Sequence, residues 1–176
     1  MELRWDPVLK EWIIVSGQRR KRPFLPESFC PFCPGSTEVP SKGWDVLSLP
    51  NRYPSLMPNP PPSEFKSDTL YRCKPAIGFS EIILYTPEHN TTLAELNVSH
   101  IKKLVDLWAE RYQKLGEKRF VKYIFIFENK GREIGATLDH PHGQIYAFPF
   151  IPPKIKKELE SSQHYMKRTG RCLFCQ

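Results

Sequence analysis

The sequence predicts an α+β fold in which a mostly antiparallel sheet packs against one long helix. Segments with the composition of strands lie at residues 11–15, 79–86, 123–128 and 143–148. One strongly helical segment crosses between residues 86 and 123, whereas a parallel sheet would need a helix after nearly every strand. A second amphipathic helix is expected at the C-terminal end, over residues 153–166.

The long helix is predicted by apolar residues that recur every three or four positions and so share one face. They are Ile101, Leu104, Val105, Trp108, Tyr112 and Leu115. Asn97 or Ser99 can cap its first turn, and Gly116 can end it in the left-handed conformation. The C-terminal helix begins at a proline, which is favoured in the first helical turn.

The segment 40–68 is expected to be a long irregular loop, because prolines remove backbone donors and interrupt strand pairing. From residue 50 onward, the prolines in this segment are Pro50, Pro54, Pro58, Pro60, Pro61 and Pro62. Loops of this length in compact domains are usually functional or disordered.

The composition is that of one globular domain with a basic excess. The 176 residues include 26 Lys+Arg and 19 Asp+Glu, and 40% are hydrophobic. Residues 19–22 and 154–171 each carry a net charge of +4, so the basic charge is local and suits an anionic ligand such as a phosphate ester. A nucleic-acid partner is disfavoured because no stripe of paired aromatic and basic residues is evident.

No apolar run is long enough to cross a membrane, and the N-terminus does not resemble a signal peptide, so we expect a cytoplasmic location.

Four of the five cysteines form two Cys-x-x-Cys pairs, Cys30/Cys33 and Cys172/Cys175. In a reducing compartment this spacing is typical of metal ligands or of a redox pair. The fifth, Cys73, is expected to be a small apolar side chain.

Further metal ligands would have to come from the histidines, of which two are in the motif His140-Pro141-His142-Gly143-Gln144. Imidazole can bind a metal and can also act as a nucleophile toward phosphorus. If one histidine of the pair completes a closed metal site, the other is held beside it and can react. Gly143 is expected to let a phosphate approach the backbone.

These residues carry a resemblance to the galactose-1-phosphate uridylyltransferase family, a branch of the histidine-triad superfamily. Its active-site segment is similar to residues 127–152, FENKGREIGATLDHPHGQIYAFPFIP. Further matches follow the chain order: WDPVLKEWIIVSGQRRKRP, CPFCPG, NRYPSL and TPEHNTTLAEL. The resemblance implies a histidine-triad-like half-barrel with one long crossing helix and a C-terminal helix. It also implies transfer of a uridylyl group from UDP-glucose to galactose 1-phosphate through a covalent uridylyl-histidine.

The resemblance assigns roles residue by residue. It implies that His142 is the nucleophile and that Gln144 hydrogen-bonds the transferring phosphoryl group. It implies a structural zinc ion, whose ligands are Cys30, Cys33, His89 and His140. Contacts to the nucleotide sugar are implied for Asn51, Asn129, Gly135 and Thr137, and for Arg19 and Arg22 reaching across a dimer. The family more often has Ser where Thr137 stands.

Family members carry two tandem repeats, and this chain resembles the first. We therefore expect a domain at residues 1–171 and the start of a truncated second repeat at 172–176. A homodimer, or a complex with a second-repeat chain, is expected. Two alternatives remain: a nucleotide-sugar phosphorylase of the same superfamily, and a non-catalytic zinc-stabilised module that binds nucleotides.

Overall fold

The computed structural model describes residues 1–17, 29–63, 65–131, 133–134, 136 and 138–176. In these ranges the strands and α-helices follow one another as β1 (Glu2–Asp6), β2 (Glu11–Val15), β3 (Leu47–Pro50), β4 (Cys73–Pro75), β5 (Phe79–Leu84), α1 (Val98–Gly116), β6 (Tyr123–Phe127), β7 (His142–Phe148) and α2 (Pro153–Thr169). This order confirms the expected α+β class, with one long helix between strands and a second after the last strand.

The main sheet has four antiparallel strands in the order β3-β5-β7-β6. In the pairing of β5 with β7, Leu84 lies opposite His142 and Ile82 opposite Gln144. Side chains alternate between the two faces of a strand, so His142 and Gln144 share one face of β7 while Gly143 and Ile145 share the other.

Both faces of β5 are buried, which explains its nearly continuous apolar sequence. On one face, Ile83 packs in a core with Leu104 and Leu115 of α1. On the other, Ile82 and Leu84 pack in a second cluster with Phe32, which lies between the first two cysteines, and with Val39, which follows them. The fold therefore fixes the cysteine segment against the sheet through apolar packing.

A smaller antiparallel sheet, in the order β2-β1-β4, lies beside a third apolar cluster. Trp5 pairs with Trp12 across β1 and β2, and their rings meet edge to face at 5.4 Å. Leu3 of β1 belongs to the same cluster as Tyr146 and Phe148 of β7, so this packing joins the small sheet to the main one.

The structure differs from the predicted elements at three strands and one helix end. β1 and β4 are not evident from the sequence pattern, and β3 lies within the segment expected to be irregular. β3 is an edge strand with Pro50 at its end, where a missing backbone donor is tolerated. Asn97 caps α1 as expected, accepting a hydrogen bond from the His100 backbone at 2.8 Å. Gly116 is the last residue of α1 but is not left-handed, whereas Gly170, with φ of 70°, ends α2 in that way.

Within the described ranges, neither helix combines the length and the apolar character that crossing a membrane requires.

A buried carboxylate ties the first strand to the proline-rich segment. Glu2 accepts hydrogen bonds from Ser63 and from the Cys73 thiol, and Arg4 Nε donates to it at 2.7 Å. The hydrogen bond from Ser63, followed by the contacts with Arg4 and Cys73, lowers the pKa of Glu2 from 4.5 to about 2, against the opposing effect of burial. The ionised form is therefore the one that the fold stabilises.

We predict that Glu2 contributes stability that is present above pH 4.5 and is lost as the pH falls toward 2. The sign follows from a folded-state pKa below the unfolded one, since the unfolded chain then binds the proton more readily. Glu2→Gln should lower the free energy of unfolding by about 1–3 kcal/mol at pH 7. Urea denaturation measures this, with the exposed Glu158→Gln as the control. A gap between Glu2→Gln and the unmodified chain that is as wide at pH 2.5 as at pH 7 would contradict the prediction.

Candidate active site and metal cluster

The two histidines of the His-Pro-His motif are positioned where β7 begins. His142 is the first residue of β7 and pairs with Leu84 at the end of β5. Just before it, the Pro141 carbonyl accepts a hydrogen bond from the Tyr85 backbone at 3.1 Å. This continuation of the ladder holds the motif rigidly beside the residues that follow β5.

Four predicted ligands converge into one cluster. The ligand atoms of Cys30, Cys33, His89 and His140 all lie within 4.8 Å of one another. Cys33 Sγ is 3.4 Å from His89 Nδ1 and 3.8 Å from His140 Nδ1. The two cysteines belong to one turn, in which the Cys33 backbone donates to the Cys30 carbonyl at 3.3 Å. Two thiols and two imidazoles brought together in this way could hold a metal ion.

His140 is oriented for this cluster by its second ring nitrogen. The ring is buried, with 1% exposure, and Nε2 donates to the Thr86 carbonyl at 2.9 Å. A neutral imidazole that donates from Nε2 carries its lone pair on Nδ1, the nitrogen that faces Cys33. Burial lowers the pKa of His140, so the ring is held in the neutral form that a metal ligand requires. Burial also raises the pKa of Cys30 to about 11.

His142 donates a hydrogen bond from the other ring nitrogen. Its Nδ1 donates to the His140 carbonyl at 2.7 Å, which places the lone pair of the neutral ring on Nε2. The Phe32 ring meets it edge to face, with centroids 5.0 Å apart. The two histidines therefore differ in tautomer as well as in position.

Two cavities meet at His142 and Leu138, which line both of them. The larger has a volume of about 410 Å³, and its polar lining includes Glu128, Asn129 and Lys130. The smaller has a volume of about 60 Å³, and its lining comprises Pro31, Phe32, Glu38, Asn51, Arg52, Tyr53, Ile82, Leu138, His142 and Gln144. A ligand with two chemically distinct ends, lying across His142, fits this arrangement.

The structure brings most of the predicted site residues together. Asn51 and Gln144 line the smaller cavity, and Asn129 lines the larger one. Four predicted binding residues lie outside the described part of the chain: Arg19, Arg22, Gly135 and Thr137. In the ranges that are described, the four-residue cluster is the one group suited to a metal, and the second cysteine pair is not part of it. Cys172 instead precedes a 3₁₀ turn after α2, and Cys175 is the last residue of that turn.

The structure gives Gly143 a different role from the expected one. It lies on the face of β7 away from His142, and a Cβ there would collide with the Tyr85 hydroxyl and come within 3.1 Å of the Phe127 carbonyl oxygen. Glycine is needed because Tyr85 packs against the strand, and it does not open space for a phosphate.

Several lining residues were missed by the sequence analysis, among them Tyr53, Arg52 and Glu128. Tyr53 and Arg52 fall within the NRYPSL match, which was a usable signal. Glu128 ends the predicted strand 123–128, and its position beside Asn129 gives no local sign that it faces the larger cavity.

Comparison with known proteins identifies the family. The N-terminal domain of galactose-1-phosphate uridyl transferase matches residues 1–152. The chain belongs to this family. A galactose-1-phosphate uridylyltransferase from Thermotoga maritima is 44% identical over 177 residues, covering 100% of this chain and 55% of the relative. A solved uridylyltransferase structure superimposes with a TM-score of 0.86 at 43% identity, covering 99% of this chain and 54% of that one.

The same comparisons include a relative of different name. An ADP-glucose phosphorylase from Arabidopsis thaliana is 29% identical over 197 residues, covering 99% of this chain and 56% of the relative. A solved structure of an ADP-glucose phosphorylase from Arabidopsis thaliana with bound ADP-glucose superimposes with a TM-score of 0.70 at 26% identity, over 99% of this chain and 57% of that one. The chain therefore spans about half the length of the uridylyltransferase family relatives it matches.

Proposed function

We propose that this chain takes part in uridylyl transfer between UDP-glucose and galactose 1-phosphate, through a covalent intermediate on His142. The observation that carries the proposal is the 2.7 Å hydrogen bond from His142 Nδ1 to the His140 carbonyl. It puts the lone pair on Nε2 of a side chain that borders both cavities. The names of the uridylyltransferase relatives support the substrate class and a role in galactose metabolism.

The proposed reaction has two displacements at the same phosphorus. His142 Nε2 attacks the α-phosphorus of UDP-glucose, a nitrogen–phosphorus bond forms, and the bond to the bridging oxygen breaks. Glucose 1-phosphate leaves with the bonding electron pair. A phosphate oxygen of galactose 1-phosphate then attacks the uridylyl-histidine, which releases UDP-galactose and restores the imidazole. The His140 carbonyl favours the first displacement, because it stabilises the positive charge that develops on the His142 ring.

Other residues are proposed to bind and orient the substrate. Gln144 is buried at 7% exposure on the same face of β7 as His142, and we assign it to the transferring phosphoryl oxygens. Asn51 is assigned to the nucleoside end and Asn129 to the sugar-phosphate end. Arg19 and Arg22 from a partner chain, with Gly135 and Thr137, keep the substrate-binding roles that the family resemblance implies for them.

We further propose that the cluster holds a structural zinc ion. In a tetrahedral zinc site, the usual bond lengths place a sulfur ligand about 3.5 Å from a nitrogen ligand. The separations from Cys33 Sγ, 3.4 Å to His89 and 3.8 Å to His140, fit that edge length. Four protein ligands leave no open coordination position, so the ion would fix His140 and, through its carbonyl, His142.

A nucleotide-sugar phosphorylase is the second candidate, supported by the Arabidopsis thaliana relative. It would use the same nucleophile with inorganic phosphate as the acceptor. A non-catalytic nucleotide-binding module is the third, and it predicts no covalent adduct.

The assembly is proposed to be a cytoplasmic homodimer, or a complex with a chain that supplies the second repeat. We assign residues 1–171 to one domain and 172–176 to the start of the next repeat. The family match ends at residue 152, immediately before α2. α2 has no buried residue, and Leu159, Met166 and Phe174 are exposed at 45%, 44% and 74%. Such apolar surface favours association.

Purified without chelators, the chain should contain about one zinc ion, because the closed site contributes to folding. Cys30→Ser should lower both the zinc content and the thermal midpoint, with Cys73→Ser as the matched control. Metal analysis and thermal denaturation measure the two effects. Full-length protein that folds cooperatively without any metal would count against the structural site.

His142→Gly should retain zinc and fold but lose covalent labelling, because the nucleophile is gone while the metal ligands remain. His140→Asn should lose metal and stability first. Intact-protein mass spectrometry after exposure to UDP-glucose detects the uridylyl adduct, and galactose 1-phosphate or inorganic phosphate is then added to find the acceptor. An adduct that persists in His142→Gly would refute the assignment, and discharge by phosphate alone would favour the phosphorylase.

Light scattering at micromolar concentration should give the mass of a dimer. Leu159→Lys combined with Met166→Lys should shift it toward the monomer, because the charges interrupt the apolar side of α2. Lys156→Glu combined with Glu160→Lys, on the same helix, is the control. A single monomeric species for the unmodified chain would contradict the homodimer.

A further inference from the structure

Among the described residues that line the smaller cavity, Glu38 supplies the carboxylate, and an ion pair holds it. Arg52 Nη1 donates to Glu38 Oε1 at 3.2 Å. The Glu38 side chain is 22% exposed and the Arg52 side chain 61%, so the carboxylate is the more enclosed of the two groups. Both residues line the cavity that His142 borders, and the proposed transfer reaction gives neither of them a role.

The carboxylate is carried by a turn that the fold fixes. Val39, the next residue, is buried at 4% exposure. Its backbone donates to the Ser36 carbonyl at 3.4 Å, and its carbonyl accepts from the Gly35 backbone at 3.2 Å. The turn follows Cys33 of the metal cluster directly in the sequence. The backbone at Glu38 is therefore anchored both by apolar burial and by the cysteine segment.

The loop that carries Arg52 is fixed as well. The Asn51 backbone donates to the Ser80 carbonyl at 3.0 Å, and Asn51 Oδ1 accepts from the Tyr53 backbone at 2.9 Å. The Arg52 guanidinium lies 5.9 Å from the centre of the Tyr53 ring, within the range of a cation–π contact. Because its Oδ1 already accepts a hydrogen bond, Asn51 offers the cavity mainly the donors of its amide nitrogen.

The chemistry of these groups indicates which part of a nucleotide they meet. A carboxylate has about four lone-pair positions, and the single bond from Arg52 leaves Glu38 able to accept more. Two neighbouring hydroxyl groups can donate to a carboxylate and can also accept from an amide such as that of Asn51. Acidic side chains bind ribose hydroxyls in this way in dinucleotide-binding folds.

The edge of a uracil base matches the carboxylate less well. Its one N–H donor lies between two carbonyl oxygens, and these repel a carboxylate that approaches the donor. The apolar residues of the same lining, Phe32, Ile82 and Leu138, instead suit the flat faces of a base. The cavity therefore offers apolar contacts for the base and polar contacts for the hydroxyls of the ribose.

We propose that Glu38 accepts hydrogen bonds from the 2′- and 3′-hydroxyls of the substrate's ribose, and that Arg52 is the positioning residue that holds its carboxylate. The inference rests on the proposed function, since it takes the smaller cavity as the nucleoside end of the site. It makes the site selective for ribonucleotides over nucleotides without these hydroxyls.

The test compares UMP with 2′,3′-dideoxy-UMP, which differ only in the two hydroxyls and carry no leaving group for transfer. Isothermal titration gives both affinities for the unmodified chain and for each variant. The unmodified chain should bind UMP at least about tenfold more tightly, as expected for hydrogen bonds to a charged group. Glu38→Gln should weaken UMP about tenfold and change binding of the dideoxy probe by less than about twofold.

Arg52→Met should weaken UMP about threefold, because an ion pair with an exposed partner contributes little, and it should leave the dideoxy probe within about twofold. The double variant should lose little more than Glu38→Gln alone, since Arg52 acts through Glu38. Glu110→Gln is the matched control. It removes a carboxylate that pairs with Lys114 on α1, away from both cavities. Its ratio of the two affinities should equal that of the unmodified chain.

A third probe, UMP methylated at N3, separates the ribose from the base. If Glu38→Gln removes a preference for UMP over this probe and keeps the preference over the dideoxy probe, the carboxylate binds the base and the inference is overturned. Equal affinities of the unmodified chain for UMP and dideoxy-UMP overturn it too. Both results leave the proposed function standing, because UMP is still bound.

The role of Arg52 has its own decisive result. Equal weakening of UMP and dideoxy-UMP by Arg52→Met would show that the arginine contacts a part common to both probes, and its positioning role would be refuted. If the unmodified chain binds none of the three probes, the proposed function fails and this inference fails with it.

Discussion

The antiparallel pairing of β5 with β7 is the constraint on which the candidate site depends. It sets Leu84 opposite His142 and Ile82 opposite Gln144, and the Tyr85-to-Pro141 hydrogen bond extends it by one step. A shift of one residue would exchange the two faces of β7 and carry His142 into the core beneath α1. Apolar burial on both faces of β5 opposes such a shift, because Ile83 and Ile82 contact different clusters. The register, and with it the site, is thus maintained by hydrophobic packing.

His140 connects the metal cluster to the proposed nucleophile. Its side chain lies with Cys30, Cys33 and His89, while its backbone carbonyl accepts the hydrogen bond from His142 Nδ1. Anything that holds the His140 ring therefore also holds the group that fixes the tautomer of His142. This is a physical reason why a closed metal site can matter to chemistry in which the ion takes no part. The same two roles of His140 explain why it and His142, with one residue between them, carry their protons on different ring nitrogens.

Elements with strong periodicity could be predicted from the sequence, and three of the short strands could not. The long helix, its Asn97 cap and the apolar strands followed from local pattern. β1, β3 and β4 have five, four and three residues. Their pairing with other strands in the fold outweighs the weak strand propensity of their sequences. The four-residue cluster required ligands separated by more than 100 residues, so the resemblance to a family supplied what spacing alone did not. The role of Gly143 was wrongly predicted, because its neighbour Tyr85 is distant in sequence and close only in the fold.

The two-residue period of β7 lets one strand serve both chemistry and packing. His142 and Gln144 face the cavities, whereas Gly143 faces the core, where its missing side chain admits the Tyr85 hydroxyl. That hydroxyl lies so close to Gly143 that no side chain can be accommodated there. An added methyl group at Gly143 would act on both sides of β7 at once, by displacing Tyr85 and by straining the pairing that holds His142. The core and the candidate site are therefore parts of the same arrangement, and the identity of residue 143 is determined by both.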